Sequence, residues 1–320
     1  MLYYAWKEKI IEKCQDDNIS KLKQFNIDVV DKNDFLYSKF LENNIYAINK
    51  NNYFDDFSKY DKKNAIIVGF GNNGALHIGH FLLAKELLFY INNNSKIYFV
   101  NLDPENNNKF VYQMIDILKN NCINEIDYEI LTCNNSDIMK LKKKVAGNLN
   151  INTINRIMGW KNESLQSYEK VLDMVTTFSL SNLILENNKI VVTDINQATF
   201  YGIVKNIGNK LHLELPNYVY HLLMPSLKSP VERMSVNKPK SLIFIDDEEN
   251  IIERKLNSSF TGTTDRQLTC SFLRVIDLIN SIEDTETVIE HCINCNFTCS
   301  ECKKNNLDIL VKKIKSKRLD

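Results

Sequence analysis

The sequence has no excess of charge of either sign, no long apolar run and no linker rich in Pro, Gly and Ser. Lys and Arg total 40, and so do Asp and Glu, so any nucleic-acid partner must be held by a local patch rather than by the net charge. No stretch approaches the roughly 18 apolar residues of a membrane span. The N-terminal segment is charged from the start, unlike a signal peptide. These absences favour a soluble, cytoplasmic protein with no membrane partner.

Strand and helix patterns alternate from Asn64 onward. Helical segments separate short apolar runs, an arrangement typical of a parallel sheet covered on both faces. The sequence therefore predicts an α/β fold with a Rossmann-like parallel sheet. Its strands are expected at residues 65–70, 97–102, 128–132, 189–194, 218–223 and 242–246.

The length of 320 residues allows roughly two domains of about 150 residues each. Residues 1–63 are polar and helical in pattern, and we expect them to form an N-terminal extension. The Rossmann-like domain is expected over residues 64–246, with a helical insertion at 137–182. A small helical C-terminal domain is expected over residues 247–320.

A glycine-rich turn follows the first predicted strand. Gly69, Gly71 and Gly74 fit the pattern G-x-G-x-x-G between a strand and a helix, which is found in dinucleotide-binding proteins. That fingerprint expects an acidic residue about 20 positions later, whereas Asp103 lies 29 residues after Gly74. The dinucleotide interpretation therefore rests on the glycines alone.

Two histidines, His77 and His80, follow the turn and enclose Gly79. At a spacing of i and i+3 they share one face of the first helical turn. A helix N-terminus already attracts anions, and imidazoles there can donate hydrogen bonds to phosphate oxygens as charge moves. Gly79 lets a flat ring approach the backbone closely. The segment predicts a phosphate-binding site, although two purely structural histidines are the alternative.

The segment GALHIGH, residues 74–80, resembles the HIGH signature of class I aminoacyl-tRNA synthetases. The second signature of that class is a basic loop about 150 residues later, and RMSVN at 233–237 stands there. Its surroundings are similar to the KMSAS-type loop of tryptophanyl-tRNA synthetases of the archaeal and eukaryotic type. Residues 195–201 and 259–262 resemble further segments of that family. The resemblance covers about residues 64–320, in the family's order and spacing.

The resemblance implies ATP-dependent activation of an amino acid to aminoacyl-AMP, with Mg²⁺ and release of pyrophosphate, and transfer to tRNA. Such an enzyme works mainly by positioning and charge stabilisation. The family is typically a homodimer. By resemblance, the catalytic residues are His77, His80 and Arg233. The implied ATP-binding residues are Gly69, Gly71, Gly79, Met234 and Ser235. The implied amino-acid-binding residues are Asp103, Asn196 and Gln197.

The chain departs from the family pattern at several of these positions. Arg233 replaces the usual Lys, and Asn196 replaces an Asp that could bind an ammonium or an indole N–H group. An Arg-Asp pair one turn later is replaced by Lys205-Asn206. The loss of this acid leaves the amino-acid specificity open. The resemblance implies an aromatic amino acid, tryptophan or tyrosine, and a phenylalanine pocket also stays open. The alternative is a divergent paralogue that activates an amino acid for a non-translational acceptor. A non-catalytic nucleotide binder is disfavoured by the two intact histidines.

Four cysteines stand close together near the C-terminus, in two C-x-x-C pairs of the kind that bind metals. The subset that includes Cys270 is similar, within one residue of spacing, to the ligands of a [4Fe–4S] cluster in some bacterial tryptophanyl-tRNA synthetases. Thiolates suit both iron–sulfur and zinc, so a cluster is predicted, with zinc as the alternative and a metal-free corner left open. The predicted ligands are Cys270, Cys292, Cys299 and Cys302, with Cys295 as an alternative ligand.

Overall fold

The computed structural model describes residues 2–12, 27–29, 37–43, 45–48, 64–69, 75–92, 95–102, 108–161, 163–184, 188–262 and 265–319. Two predicted site residues, Gly71 and Asp103, lie outside these ranges.

The centre of the fold is a sheet of five parallel strands, as the sequence predicts. Four of the predicted runs agree with the observed strands within one residue at either end. The fifth observed strand ends two residues before the predicted run. In spatial order the strands are β7 (Asn217–His221), β6 (Asn188–Asp194), β3 (Asn64–Gly69), β4 (Lys96–Asn101) and β5 (Tyr128–Thr132).

Apolar side chains cover both faces of this sheet. In β3, Ile66 and Val68 belong to one buried core, whereas Ala65 and Ile67 belong to a second core on the other side. This alternation is the period of two that a strand imposes. Burial on both faces explains why the strands are continuously apolar in sequence.

Helices flank the sheet wherever the sequence predicts them between the strands. The predicted insertion at 137–182 becomes three helices and a 3₁₀ turn at Leu180–Leu183. The helices are α3 (His80–Asn92), α4 (Lys109–Asn121), α5 (Ser136–Asn148), α6 (Ile151–Met158), α7 (Leu165–Ser179) and α8 (Ala198–Leu211).

The N-terminal segment differs from the helical pattern that the sequence predicts. It contains helix α1 (residues 2–12) and α2 (Tyr37–Glu42), but also the strands β1 (Asp28–Val29) and β2 (Ile45–Ile48). Strand β2 pairs antiparallel with β7, and β1 pairs with β2. The open edge of β7 offers backbone hydrogen bonds that a polar local sequence cannot reveal.

The segment at 242–246, which the sequence predicts as a strand, forms only a single β-bridge, between Phe244 and His77. Before it, β8 (Pro225–Ser226) and β9 (Ser229–Arg233) form a small antiparallel pair. After it the chain is mainly helical, as predicted. The helices are α9 (Glu249–Asn257), α10 (Arg266–Thr269), α11 (Ser271–Ile279), α12 (Ile282–Ile293) and α13 (Cys299–Ser316).

Helix α1 is held against the C-terminal helices by a buried polar group. Asp277 of α11 accepts a hydrogen bond from the Tyr3 hydroxyl at 2.9 Å and pairs with the Lys7 ammonium at 2.6 Å.

The division of the chain at residues 63 and 246 stays a prediction. None of the helices described is both long and apolar enough to cross a bilayer.

Candidate active site

A cavity of about 600 Å³ opens at the carboxyl edge of the parallel sheet, the edge at which such sheets bind ligands. The strand ends Gly69, Asp194 and His221 all line it. It brings together eight residues that the sequence assigns to the site, which are Gly69, His77, Gly79, His80, Gln197, Arg233, Met234 and Ser235.

Backbone hydrogen bonds join the histidine segment to the chain that follows the RMSVN loop. The amide of Ile78 donates to the carbonyl of Ile243 at 2.9 Å, and the amide of Ile245 donates to that of Leu76 at 3.1 Å. The chain that follows the RMSVN loop is thereby fixed beside the histidines. The start of that loop is anchored as well, because Met234 is buried and its amide donates to Met224.

The proton on His77 is fixed by its own backbone turn. The amide of Gly79 donates to Nδ1 of His77 at 3.1 Å, so this nitrogen is an acceptor and the ring proton resides on Nε2. A Cβ atom on Gly79 would lie 2.8 Å from Cε1 of the His77 ring. Glycine is therefore required for the ring to occupy this position.

His80 begins α3 and packs beside His77, with ring centroids 4.2 Å apart. Burial lowers the pKa of His77 to about 3, helped by the adjacent His80, and burial lowers the pKa of His80 to about 4. Both imidazoles are therefore neutral at pH 7. A neutral His77 can donate from Nε2 to an anion at the start of the helix.

Arg233 is the cation of the RMSVN loop that faces the cavity. It ends β9, is exposed, and forms no ion pair with any residue in the described ranges. Lys238, in contrast, pairs with Glu232 at 2.8 Å and does not line the cavity. The guanidinium of Arg233 is thus available to an anionic ligand.

Gln197 is held in place by the end of β6. The hydroxyl of Thr193 donates to its Oε1 at 2.7 Å, and its Nε2 donates to Oδ2 of Asp194 at 3.0 Å. With both ends bonded, the amide has one orientation. Gln197 lines the cavity, and its role in binding the amino acid stays a prediction.

Asn196 is exposed and is not among the residues that line the cavity, and its assignment to the amino-acid site stays a prediction. Its backbone amide donates to Oδ1 of Asp194 at 2.9 Å, and this cap starts the 3₁₀ turn Ile195–Gln197. The carboxylate at this point is supplied by Asp194, which the sequence reasoning missed.

Several other lining residues were not predicted from the sequence, among them Lys170, Phe178 and His221. Lys170 and Phe178 come from α7, and His221 ends β7 beside Asp194 in the strand register. Phe178 is buried, whereas Lys170 is exposed. A polar residue that ends an apolar run, such as Asp194 or His221, was the signal available in the sequence. Nothing in the pattern of α7 distinguished its two residues.

The cysteines lie around a separate cavity of about 300 Å³ in the C-terminal region, lined by Cys270, Cys292, Cys295, Cys299 and Cys302. Burial raises the pKa of Cys270 to about 11 and that of Cys302 to about 12, so both thiols are protonated at neutral pH. Within the described ranges, no three Cys, His, Asp or Glu side chains are grouped so that they could hold a metal ion. The thiols surround a common space without converging, and the predicted cluster and its zinc alternative gain no support.

The chain is similar to tryptophan–tRNA ligases over most of its length. It is 22% identical over 299 residues to the enzyme of Methanocaldococcus jannaschii, and the match covers 82% of this chain and 80% of that protein. It is 24% identical over 286 residues to the enzyme of Pyrobaculum aerophilum, with 79% and 75% covered. The solved tryptophanyl-tRNA synthetase of Aeropyrum pernix matches it with a TM-score of 0.75 at 17% identity, covering 94% of this chain and 92% of that one. No protein-family model matches.

The structural match agrees with the parallel sheet and its helical C-terminal region. The two curated relatives extend the similarity well beyond the two signature segments. The resemblance seen in the sequence is thus confirmed, and the similarity to these relatives supports a class I, tryptophanyl-tRNA-synthetase-like ligase of the aminoacyl-tRNA synthetase type.

Proposed function

We propose that this chain activates tryptophan or tyrosine with ATP to form the aminoacyl-AMP and transfers the aminoacyl group to tRNA. One observation carries the proposal. A single cavity contains two groups suited to phosphates, the histidine pair and Arg233, together with a carboxylate and an amide at Asp194 and Gln197. A site of this kind can align an anionic nucleotide with an amino acid.

The reaction requires the amino acid carboxylate to meet the α-phosphate of ATP. A carboxylate oxygen attacks the α-phosphorus, the bond from this phosphorus to the bridging oxygen breaks, and pyrophosphate leaves with the electron pair. Mg²⁺ enters with ATP as part of the substrate. His77 donates to phosphate oxygens from Nε2, and Arg233 neutralises the leaving pyrophosphate. These contributions are positioning and charge stabilisation, which supply most of the rate in such a transfer.

The amino-acid side of the cavity combines apolar and acidic groups. Phe178, Val192 and Leu223 line it together with Asp194 and Gln197. An aromatic side chain packs well against such apolar walls, and the Asp194 carboxylate is a suitable acceptor for an ammonium group. This combination supports an aromatic amino acid as the substrate.

Other properties expected from the sequence stay predictions. They include a homodimer, a cytoplasmic location and a [4Fe–4S] cluster or zinc ion at the cysteines. Anaerobic purification followed by iron, sulfide and zinc analysis decides the metal. Equal amounts of iron and sulfide would support the [4Fe–4S] cluster. A chain that contains neither iron nor zinc would exclude both the cluster and the zinc ion.

The test of the function is pyrophosphate exchange into ATP with each of the twenty amino acids, with and without total tRNA. We expect exchange with tryptophan or tyrosine, loss of exchange in His80→Asn, and charging of tRNA. His212→Asn is the matched control, because His212 is exposed at the end of α8 in a left-handed conformation that Asn tolerates. Exchange without charging would favour the non-translational acceptor. Absence of exchange with every amino acid would overturn the proposal.

A further inference from the structure

Helix α3 contains a fully buried carboxylate that the proposed chemistry does not use. Glu86 is 0% exposed and lies among the apolar residues of α3, such as Ala84 and Leu87. Burial of an unpaired carboxylate costs far more than burial of an apolar group. Its Oε2 lies 3.0 Å from Nδ1 of His221, and its Oε1 has no hydrogen-bond partner in the described ranges.

His221 connects this carboxylate to the active-site cavity. It is the last residue of β7 and lines the cavity, and its side chain is 11% exposed. Its Nδ1 faces Glu86, while Nε2 forms no hydrogen bond within the described part of the chain. Because Nδ1 is engaged by Glu86, Nε2 is the nitrogen left for a ligand.

The charged groups around His221 favour its protonated form. Glu86 faces it from α3, and Asp194 faces it from the adjacent strand β6. Burial lowers the pKa of His221, but the hydrogen bond and charge of Glu86, together with the charge of Asp194, outweigh burial and raise it above the usual value. His80, the other titratable neighbour, has a lowered pKa and is neutral. His221 is thus the histidine of this cavity whose pKa is raised, whereas the pKa values of His77 and His80 are lowered.

We propose that His221, oriented by the buried carboxylate of Glu86, donates its Nε2–H to a substrate oxygen anion in the active-site cavity. The anion belongs to the reacting pair, either the carboxylate of the amino acid or the α-phosphate of ATP. The inference rests on the proposed function for the identity of these anions. His221 then acts as a binding and catalytic group, and Glu86 is a positioning residue that acts through it.

The first test measures the ring itself and does not depend on activity. In NMR titration of the full chain, we expect His221 to retain its proton at a higher pH than a free histidine. In Glu86→Gln, we expect His221 to lose its proton at a lower pH than in the wild type. Glutamine keeps an oxygen acceptor for Nδ1–H and removes only the charge. A His221 that is already neutral at pH 7 in the wild-type chain would overturn the proposal, and this result needs no variant to fold.

The second test compares pyrophosphate exchange at pH 6 and pH 8. In Glu86→Gln, we expect kcat/KM to fall about 10- to 100-fold at pH 8, the range for a lost hydrogen bond to a charged group. The loss should be smaller at pH 6, because the higher proton concentration partly restores protonation of the ring. An equal loss at both pH values would indicate a merely structural pair. A rise in KM for the amino acid would identify the carboxylate as the ligand, and a rise for ATP would identify the phosphate.

These results separate the inference from the proposed function. If exchange depends on His80 but its pH profile is the same in Glu86→Gln and the wild type, the role of His221 is wrong and the function stands. If no amino acid supports exchange, the function fails, and the His221 signal in the presence of ATP with Mg²⁺, or of tryptophan alone, decides the binding role. A signal unchanged by both ligands would overturn it.

Discussion

The amide of Gly79 donates to Nδ1 of His77 at 3.1 Å, and the same glycine leaves no space for a side chain beside that ring. Gly79, two residues after His77, thus defines both the tautomer and the position of the His77 imidazole. The spacing of the signature is therefore a packing requirement as well as a chemical one.

Substitution Gly79→Ala is expected to displace the His77 ring. The added Cβ would lie 2.8 Å from Cε1, and a displacement of about 1 Å at a positioning group can reduce the rate about 100-fold. Pyrophosphate exchange measures this loss. Gly147→Ala is the control, because nothing lies within 4 Å of its Cβ position. Equal activity of both variants would contradict the role assigned to Gly79.

The buried histidines are expected to make the fold less stable in mild acid. His77 and His80 have pKa values of about 3 and 4 in the folded chain, against about 6.5 when unfolded. The unfolded chain therefore binds more protons below pH 6.5, and stability falls as the pH drops from 6.5 toward 4, by at most about 1.4 kcal/mol per pH unit for each imidazole.

Urea unfolding at pH 7 and pH 5 measures this effect. His80→Asn should show a smaller loss of stability between the two pH values than the wild type. His212→Asn, at an exposed position, should keep the wild-type dependence. An undiminished loss in His80→Asn would show that its imidazole titrates normally.

Asp194→Asn is expected to weaken binding of the amino acid and leave ATP binding nearly unchanged. The amide retains an oxygen for the cap to Asn196 and removes the charge that faces the cavity. A lost charged hydrogen bond corresponds to about a 10- to 100-fold rise in KM for the amino acid. Asn196→Ala should have little effect, since its side chain is exposed. The reverse order of effects would support the prediction made from the sequence.

Removal of the Lys7 ammonium is expected to destabilise the chain strongly. Lys7 and Asp277 are both buried and 2.6 Å apart. Lys7→Met leaves a buried carboxylate without this partner, a change that costs about 3 kcal/mol or more. Lys39→Met removes an exposed pair with Glu42 and should cost less than about 1 kcal/mol. Chemical denaturation compares the two, and equal losses would contradict the importance of the buried pair.

The sequence by itself determined the α/β fold and the local part of the site. Five apolar runs became the parallel strands because burial on both faces leaves a continuous apolar pattern. The histidine pair was readable because its geometry depends on neighbours within four positions of the chain. The RMSVN loop was identified by its resemblance to the second signature of the family, at the family's distance from that pair.

Only the tertiary structure decided which remote residues meet. Asp194, rather than Asn196, lines the cavity and supplies a carboxylate there. Glu86 and His221 lie 135 positions apart, and their contact depends on how α3 packs against β7. Strand β2 joins the sheet for the same kind of reason, because the open edge of β7 accepts it. Long-range packing leaves no local period in a sequence, so these features became visible only in three dimensions.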